Sequence, residues 1–436
     1  MDKNVYWIWL AEQCGYGSKY FTKLYSLYRN PEDVYNLDNE EVMQLGKKFS
    51  YNFKDSLCQR NLTKARAISE YCERSGIDVI TFDDERYPER LRLIEDPPVV
   101  LYCLGRFPVF NDKLCIGMVG TRKMSRYGRA AAYKFSYELS SMGICVVSGL
   151  ALGVDATAAC GALEGGEPTA QILGCGVGII YPKAHATLRN EIIKRGALIS
   201  EYPPLEEPKK YYFPQRNRII SGISQGVFVT ECRKESGAMI TAELALSQGK
   251  DVFAFPGNVG EPTAEGPNEL LRRGAYAAIT SEDILSHYKL FFGEDNVKSD
   301  AQSLRLARER AIDVLDALKK YSIPDKCEEN ERINAAPLLG SKSRQRVSGI
   351  EKYQTPAPIV SDEPKREISL PESTAQDYGL DDKTARVFEA IPCKSPVSVD
   401  RIVCDGLSAQ DVIGALTMLE IMGLVSSLPG GLYVRR

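Results

Sequence analysis

Gly117 to Arg129 (GMVGTRKMSRYGR) directly follows the apolar run Leu114-Cys115-Ile116. An apolar strand that ends in glycine and opens into a helix can hold a phosphate. Glycine lets the backbone come close, and the helix start offers unpaired N–H groups and a partial positive charge. Gly120, Thr121 and Arg122 are the candidate ligands of this turn. With Lys123, Arg126 and Arg129, Arg122 makes four cations within eight residues. That is more than one dinucleotide needs, and it points to a polyphosphate chain.

Other segments offer related chemistry. Val147–Asp155 (VSGLALGVD) is a second glycine turn, with Ser148 and Gly149 as candidates; turns at neighbouring strand ends face one crevice. Gly174-Cys175-Gly176-Val177-Gly178 comes next, followed by Tyr181-Pro182-Lys183, where Lys183 is a candidate cation. A dinucleotide fingerprint wants an acid about 20 residues after its first turn. That position falls in a helix whose Glu138 is expected on a solvated face, which counts against NAD. Lys209–Arg218 (KKYYFPQRNR) interleaves cations with aromatics. Lys210, Phe213, Arg216, Asn217 and Arg218 therefore suit a single strand, because cations neutralise the backbone and rings stack on bases that a duplex hides. Ser236 and Gly237, with Thr241, are candidates for an anion site. Glu243 reads either as a catalytic acid or as a buried helix residue.

Composition bounds these readings. With 436 residues, two to four domains are expected. Net charge is −3, so any nucleic-acid site is a local patch. No run reaches the ~18 apolar residues of a membrane span, and a cytoplasmic protein is expected. Twelve cysteines form no CxxC pair and read as reduced, buried small hydrophobes. Only two histidines are present, which excludes most histidine metal sites and weakens Ser-His or Cys-His catalysis. No cofactor is implied.

Four parts must position these residues. Residues 1–78 read as helical, broken by Gly15-Tyr16-Gly17; such a turn is either a phosphate-holding hairpin or a packing device. Residues 79–290 alternate strands (114–119, 144–147, 169–173, 197–200, 226–230, 251–255, 276–280) with helices, as at Tyr127–Met142 and Ala156–Glu164. That pattern predicts an α/β fold with a parallel, Rossmann-like sheet. Residues 291–375 read as a linker, helical at 301–321 and then disordered. In 376–436, helices at Ala385–Ala390, Val397–Val403 and Ser408–Met422 (stopped by Gly423) precede a hairpin around Pro429-Gly430-Gly431, the pattern of a winged helix. Its third helix carries Asp411 and Glu420 and no cation, so contact with protein is expected at least as much as contact with DNA. The tail is expected to be dispensable for binding single strands, and a chain ending near residue 290 to suffice.

The ordered series GTRKMSRYG, SGLALGVD, LGCGVG–YPK, SEYPP, FPQRNRIISGIS, SGAMITAELALSQGKDVFAFPGN and GPNELLRRGA resembles the bacterial DNA-processing protein A (DprA/Smf) family. The likeness covers about residues 80–285, with a SAM-like helical domain before it and a winged helix after it. It implies a non-enzymatic protein that binds single-stranded DNA, protects incoming strands in natural transformation and DNA recombination, and loads the RecA recombinase as a homodimer. It makes Arg122 the arginine of the G-[ST]-R turn and Lys183 the lysine of Y-P-K. Lys210 and Phe213 lead into F-P-x-R-N-R, completed by Arg216, Asn217 and Arg218. Leu152 stands where the family has arginine, and Ala159 where it has histidine, so one rim cation is missing. Leu270, Leu271, Tyr276 and Ile279 are candidates for the dimer surface. The alternative is an enzyme of the lysine-decarboxylase-like Rossmann type that cleaves nucleoside monophosphates. In that register Glu243 is catalytic, but Met239 blocks the close approach that glycine allows.

Overall fold

The computed structural model describes residues 3–323, except 18, 50–52, 54–56, 59, 109 and 297–300, and parts of 382–435. It divides into two units, residues 1–341 and 342–436.

The first unit opens with α1 (Lys3–Cys14), whose Trp7, Ile8, Trp9 and Leu10 are all buried. A helix apolar on every side must be enclosed. It is covered by α2 (Tyr20–Leu27), α3 (Pro31–Asn36), α4 (Asn39–Lys48) and α5 (Thr63–Ser75). Local chemistry starts and stops them. Asn30 caps α3, which begins on a proline; Asp38 and Glu41 form a capping box on α4; Gly76 ends α5 at φ +63°. These helices share one apolar core with Ile77, Val100 and Tyr102 of the sheet.

The sheet holds β1 (Ile77–Thr81), β2 (Val100–Gly105), β3 (Cys115–Val119), β4 (Cys145–Ser148), β5 (Ala170–Ile172), β6 (Ala197–Ser200), β7 (Gly226–Val229), β8 (Asp251–Ala254) and β9 (Tyr276–Ala277), in the order β1-β2-β6-β5-β4-β3-β7-β8-β9. All seven expected strands are present, and β3 to β9 run parallel. The sequence reading missed β1 and β2, which extend one edge antiparallel, Tyr102 opposite Ser200. From β3 the chain runs through β4, β5 and β6 on one side, then returns to β7, β8 and β9 on the other. The glycine turns lie at the carboxyl ends of central strands, where such sheets take ligands.

The intervening helices are α6 (Glu89–Arg92), α7 (Arg126–Ser141), α8 (Val154–Gly165), α9 (Ala186–Arg195), α10 (Tyr212–Ile223), α11 (Gly237–Ser247), α12 (Glu265–Arg272) and α13 (Ser281–Asn296). Beyond them, α14 (Ala301–Arg310) and α15 (Val314–Lys320) replace the single expected helix and belong to this body. Arg308 donates to Glu138 at 2.7 Å, and the Tyr321 hydroxyl bonds Glu164 and accepts from Arg195. Glu138 is therefore buried and paired, not on a solvated face. A cut near residue 290 would remove these contacts, so the shortest sensible truncation lies after Ile323. Of the nine described cysteines, all but Cys58 are buried as free thiols. Among the described residues, no helix is long and apolar enough to cross a membrane.

The second unit contains α16 (Asp382–Ala390), α17 (Ala409–Ile421) and a small antiparallel sheet of β10 (Val397–Ser398), β12 (Leu432–Arg435) and β11 (Val425–Leu428), in the order β10-β12-β11. Its core includes Val387, Phe388, Leu416 and Leu419. The helix expected at Val397–Val403 is corrected: Val397 and Ser398 pair with Tyr433 and Leu432. The cap Ser408, the stop Gly423 and the turn 429–431 lie outside the described residues.

Candidate nucleic-acid interface

At the end of β3, the Thr121 amide donates to the Glu231 carbonyl at 2.6 Å and the Thr121 carbonyl accepts from Val154 at 3.2 Å. Gly120 and Thr121 are thus pinned between the end of β7 and the start of α8, and Arg122 stands exposed. The start of α7 is not open to a ligand. Ser125 caps it by accepting from Gly128 at 3.0 Å, and the Ser125 amide and hydroxyl donate to the buried Glu231 carboxylate at 2.9 and 2.5 Å. A protein carboxylate occupies the place expected for a phosphate and meets the helix's positive end.

The second turn is also internally satisfied. Ser148 is buried, its hydroxyl donating to the Met118 carbonyl at 2.6 Å. Asp155 is buried; burial raises its pKa, against the pull of Arg216 and Arg122. Arg216 donates to the Gly149 carbonyl at 2.9 Å and to Ile172. A Cβ on Gly149 would lie 2.4 Å from that guanidinium, so any larger residue here would have to displace Arg216.

Three expected DNA contacts are accordingly corrected, because Arg216, Asn217 and Arg218 are 4%, 8% and 3% exposed. Asn217 bridges Arg216 and the Gly237 carbonyl. Arg218 pairs with Glu201 at 2.6 Å and Asp96 at 3.1 Å. Ser148 joins them as a buried structural residue. Ser236 caps α11 by accepting from Met239 at 3.4 Å, and Gly237 is exposed at that helix start; neither lines the crevice described next. Glu243 lies 56% exposed against Arg273 at 3.6 Å and is no part of that crevice either.

The crevice itself opens over the carboxyl ends of β4 and β5. It is lined by Arg122, Gly149, Leu150, Ala151, Leu152, Leu173, Gly174, Cys175, Tyr181, Pro182 and Phe213. The Phe213 ring lies 5.4 Å from Tyr181, and the Arg122 guanidinium lies 6.0 Å from the Phe213 ring centre. A Cβ on Gly174 would come within 2.8 Å of Phe213, which explains a glycine where the ring seats. Lys183 follows lining residue Pro182, and Lys210 precedes Phe213 by one turn; both are exposed. Leu152 makes this rim apolar, and Ala159 is fully buried in the core. An exposed cation beside a half-buried ring can meet a phosphate and a base face together.

Sequence reasoning missed two supports. Leu150 sits at φ +53°, rare for a residue with a branched side chain. Its amide donates to the Gln171 side chain at 3.1 Å, and His185 Nδ1 lies 3.1 Å from its carbonyl. The carbonyl only accepts, so Nδ1 carries a proton. Burial pushes His185 down to about 4. In the unfolded chain it takes a proton near pH 6.5, so the unfolded state binds more protons between these values. Stability is expected to fall as pH drops from about 6.5 to about 4, by up to a few kcal/mol, and His185→Gln should flatten this part of the profile. Urea midpoints across pH check it; an unchanged profile in the variant would contradict it.

The pattern of "DNA recombination-mediator protein A" matches residues 78–289, and that of the "DprA winged helix domain" matches residues 371–431. The DNA processing protein DprA of Bacillus subtilis is 39% identical over 219 residues, 50% of this chain and 73% of that one. Protein Smf of Synechocystis is 30% identical over 442 residues, 100% of this chain and 99% of that one. The chain belongs to the DNA-processing protein A (DprA/Smf) family. A solved structure of DNA processing protein A from Helicobacter pylori, described as binding single-stranded DNA, is 29% identical and covers 50% of this chain and 97% of that one, at a TM-score of 0.46. The stretch matched to the family contains every residue that lines the crevice, and the tail unit is the family's winged helix.

Proposed function

We propose that this DprA/Smf chain binds single-stranded DNA in the crevice over β4 and β5. The observation that carries the reading is the placement of Phe213 against Tyr181, with the Arg122 guanidinium over the Phe213 ring. Bases stack on such rings only when they are unpaired, while Arg122, with Lys183 and Lys210, takes the backbone. Ultraviolet cross-linking to a dT oligonucleotide tests it. The cross-linked peptide should contain Phe213 or Tyr181; cross-links confined to the tail would contradict the reading.

The crevice serves binding, not turnover, since Glu243, the acid of the enzymatic alternative, stands in solvent. Release of free adenine from AMP by the protein would reverse this. Protection of incoming strands in transformation and loading of RecA belong to the same proposal, and recombinase assembly on pre-coated strands is the assay that decides it. Self-association is proposed through edge strand β9 and the residues just after it, where Tyr276 and Ile279 are exposed; Leu270 is buried and Leu271 half-buried, which leaves them out of the main contacts. Ile279→Glu should turn a dimer into a monomer by light scattering, and a wild-type monomer at micromolar concentration would overturn the proposal.

A further inference from the structure

The Gly15-Tyr16-Gly17 turn between α1 and α2 packs against the helix that carries Phe213. Its tyrosine ring stands edge-on to Tyr202 at 5.0 Å and to Tyr212 at 6.3 Å. Tyr202 and Tyr212 stack on each other at 3.9 Å. The Tyr16 carbonyl accepts from Gln215, whose side-chain oxygen accepts from the Tyr202 hydroxyl at 3.1 Å. Gly17 lies at φ +66°, and a Cβ there would strike the Gln215 side chain. The turn fits this surface closely, with its carbonyl already committed to Gln215.

Tyr212 is the first residue of α10, Phe213 the second, and Gln215 lies in the same turn. Tyr16 therefore holds the start of α10 from one side, while Phe213 projects to Gly174 and Tyr181 on the other. Helix starts fray readily because their first amides lack helical partners, and no side chain caps this one. We infer that Tyr16 and Gln215 are positioning residues for Phe213: the N-terminal helical hairpin fixes the stacking ring, and it is not itself a DNA contact. Strand affinity then depends on a residue outside the crevice, through ring placement alone. The inference rests on the single-strand reading above.

A double-mutant cycle in the full chain tests it, with dT oligonucleotide binding followed by anisotropy. Phe213→Ala is expected to weaken binding about tenfold or more, the worth of one stacked base. Tyr16→Ala and Gln215→Ala should each weaken it severalfold, with the salt slope unchanged because no phosphate contact is lost. In the Phe213→Ala background, Tyr16→Ala should cost nothing further. Tyr16→Phe, which keeps the ring, should bind as wild type. Thermal melting identifies a variant that fails to fold, and Gln215→Ala, on a half-buried residue, then carries the test. Additive losses, or Tyr16→Ala and Gln215→Ala binding normally while Phe213→Ala does not, would overturn the positioning role. A wild-type chain that does not bind dT would overturn the single-strand reading and this inference with it.

Discussion

Arg122→Ala is expected to weaken binding of a dT oligonucleotide by about 10- to 100-fold, the cost of losing one charge-assisted phosphate contact. The turn that carries Arg122 is clamped on both sides, through Thr121 to Glu231 and to Val154. Little ordering entropy is therefore spent in presenting the guanidinium. The neighbouring helix start cannot substitute, because Glu231 already occupies it. The slope of log affinity against log salt should flatten by about 0.7, one phosphate on a single strand. Arg122→Lys keeps the charge without the planar fork and should fall between. If Arg122→Ala melts like wild type and binds like wild type, the backbone is held elsewhere.

Glu201→Ala is expected to have the largest effect on stability, a loss of about 3–5 kcal/mol. Arg218 and Glu201 are both almost fully enclosed, paired at 2.6 Å, while Asp96 reaches the same guanidinium from a more exposed position. Removing Glu201 leaves a buried cation with one partial partner. Glu201→Gln retains volume and an acceptor, and should cost less. Urea unfolding measures both; a loss in Glu201→Ala below about 1 kcal/mol would mean that water or Asp96 compensates for the missing charge.

How far the molecule was legible in its sequence differs by element. The seven parallel strands announce themselves as apolar runs between helices, because strands covered on both faces have little room for polar residues. β1 escapes that signal: it carries Asp78 and follows α5 with only Gly76 between. In the crevice, Arg122 was legible from its glycine turn and Phe213 from its company. Arg216 and Arg218 were misread because composition does not say which way a side chain faces. The spacing did: Arg216 lies three, four and seven residues before Ile219, Ile220 and Ile223, all buried on one face of α10. Glu231 had no such signal. It caps α7 only because β7 pairs with β3, more than a hundred residues apart in the chain, and that pairing is a property of topology. Tyr16 was legible as part of a turn, and its partners Tyr202, Tyr212 and Gln215 were not.

The central claim is that the crevice reads unpaired bases and a phosphate backbone together. Competition between a labelled dT strand and a blunt duplex of equal length, titrated across a salt series, tests it most directly. The single strand should bind far more tightly at every salt concentration. Its affinity should fall steeply as salt rises, through counterion release, and part of its preference should persist at high salt because stacking carries no charge. Equal affinity for the duplex at moderate salt would contradict it.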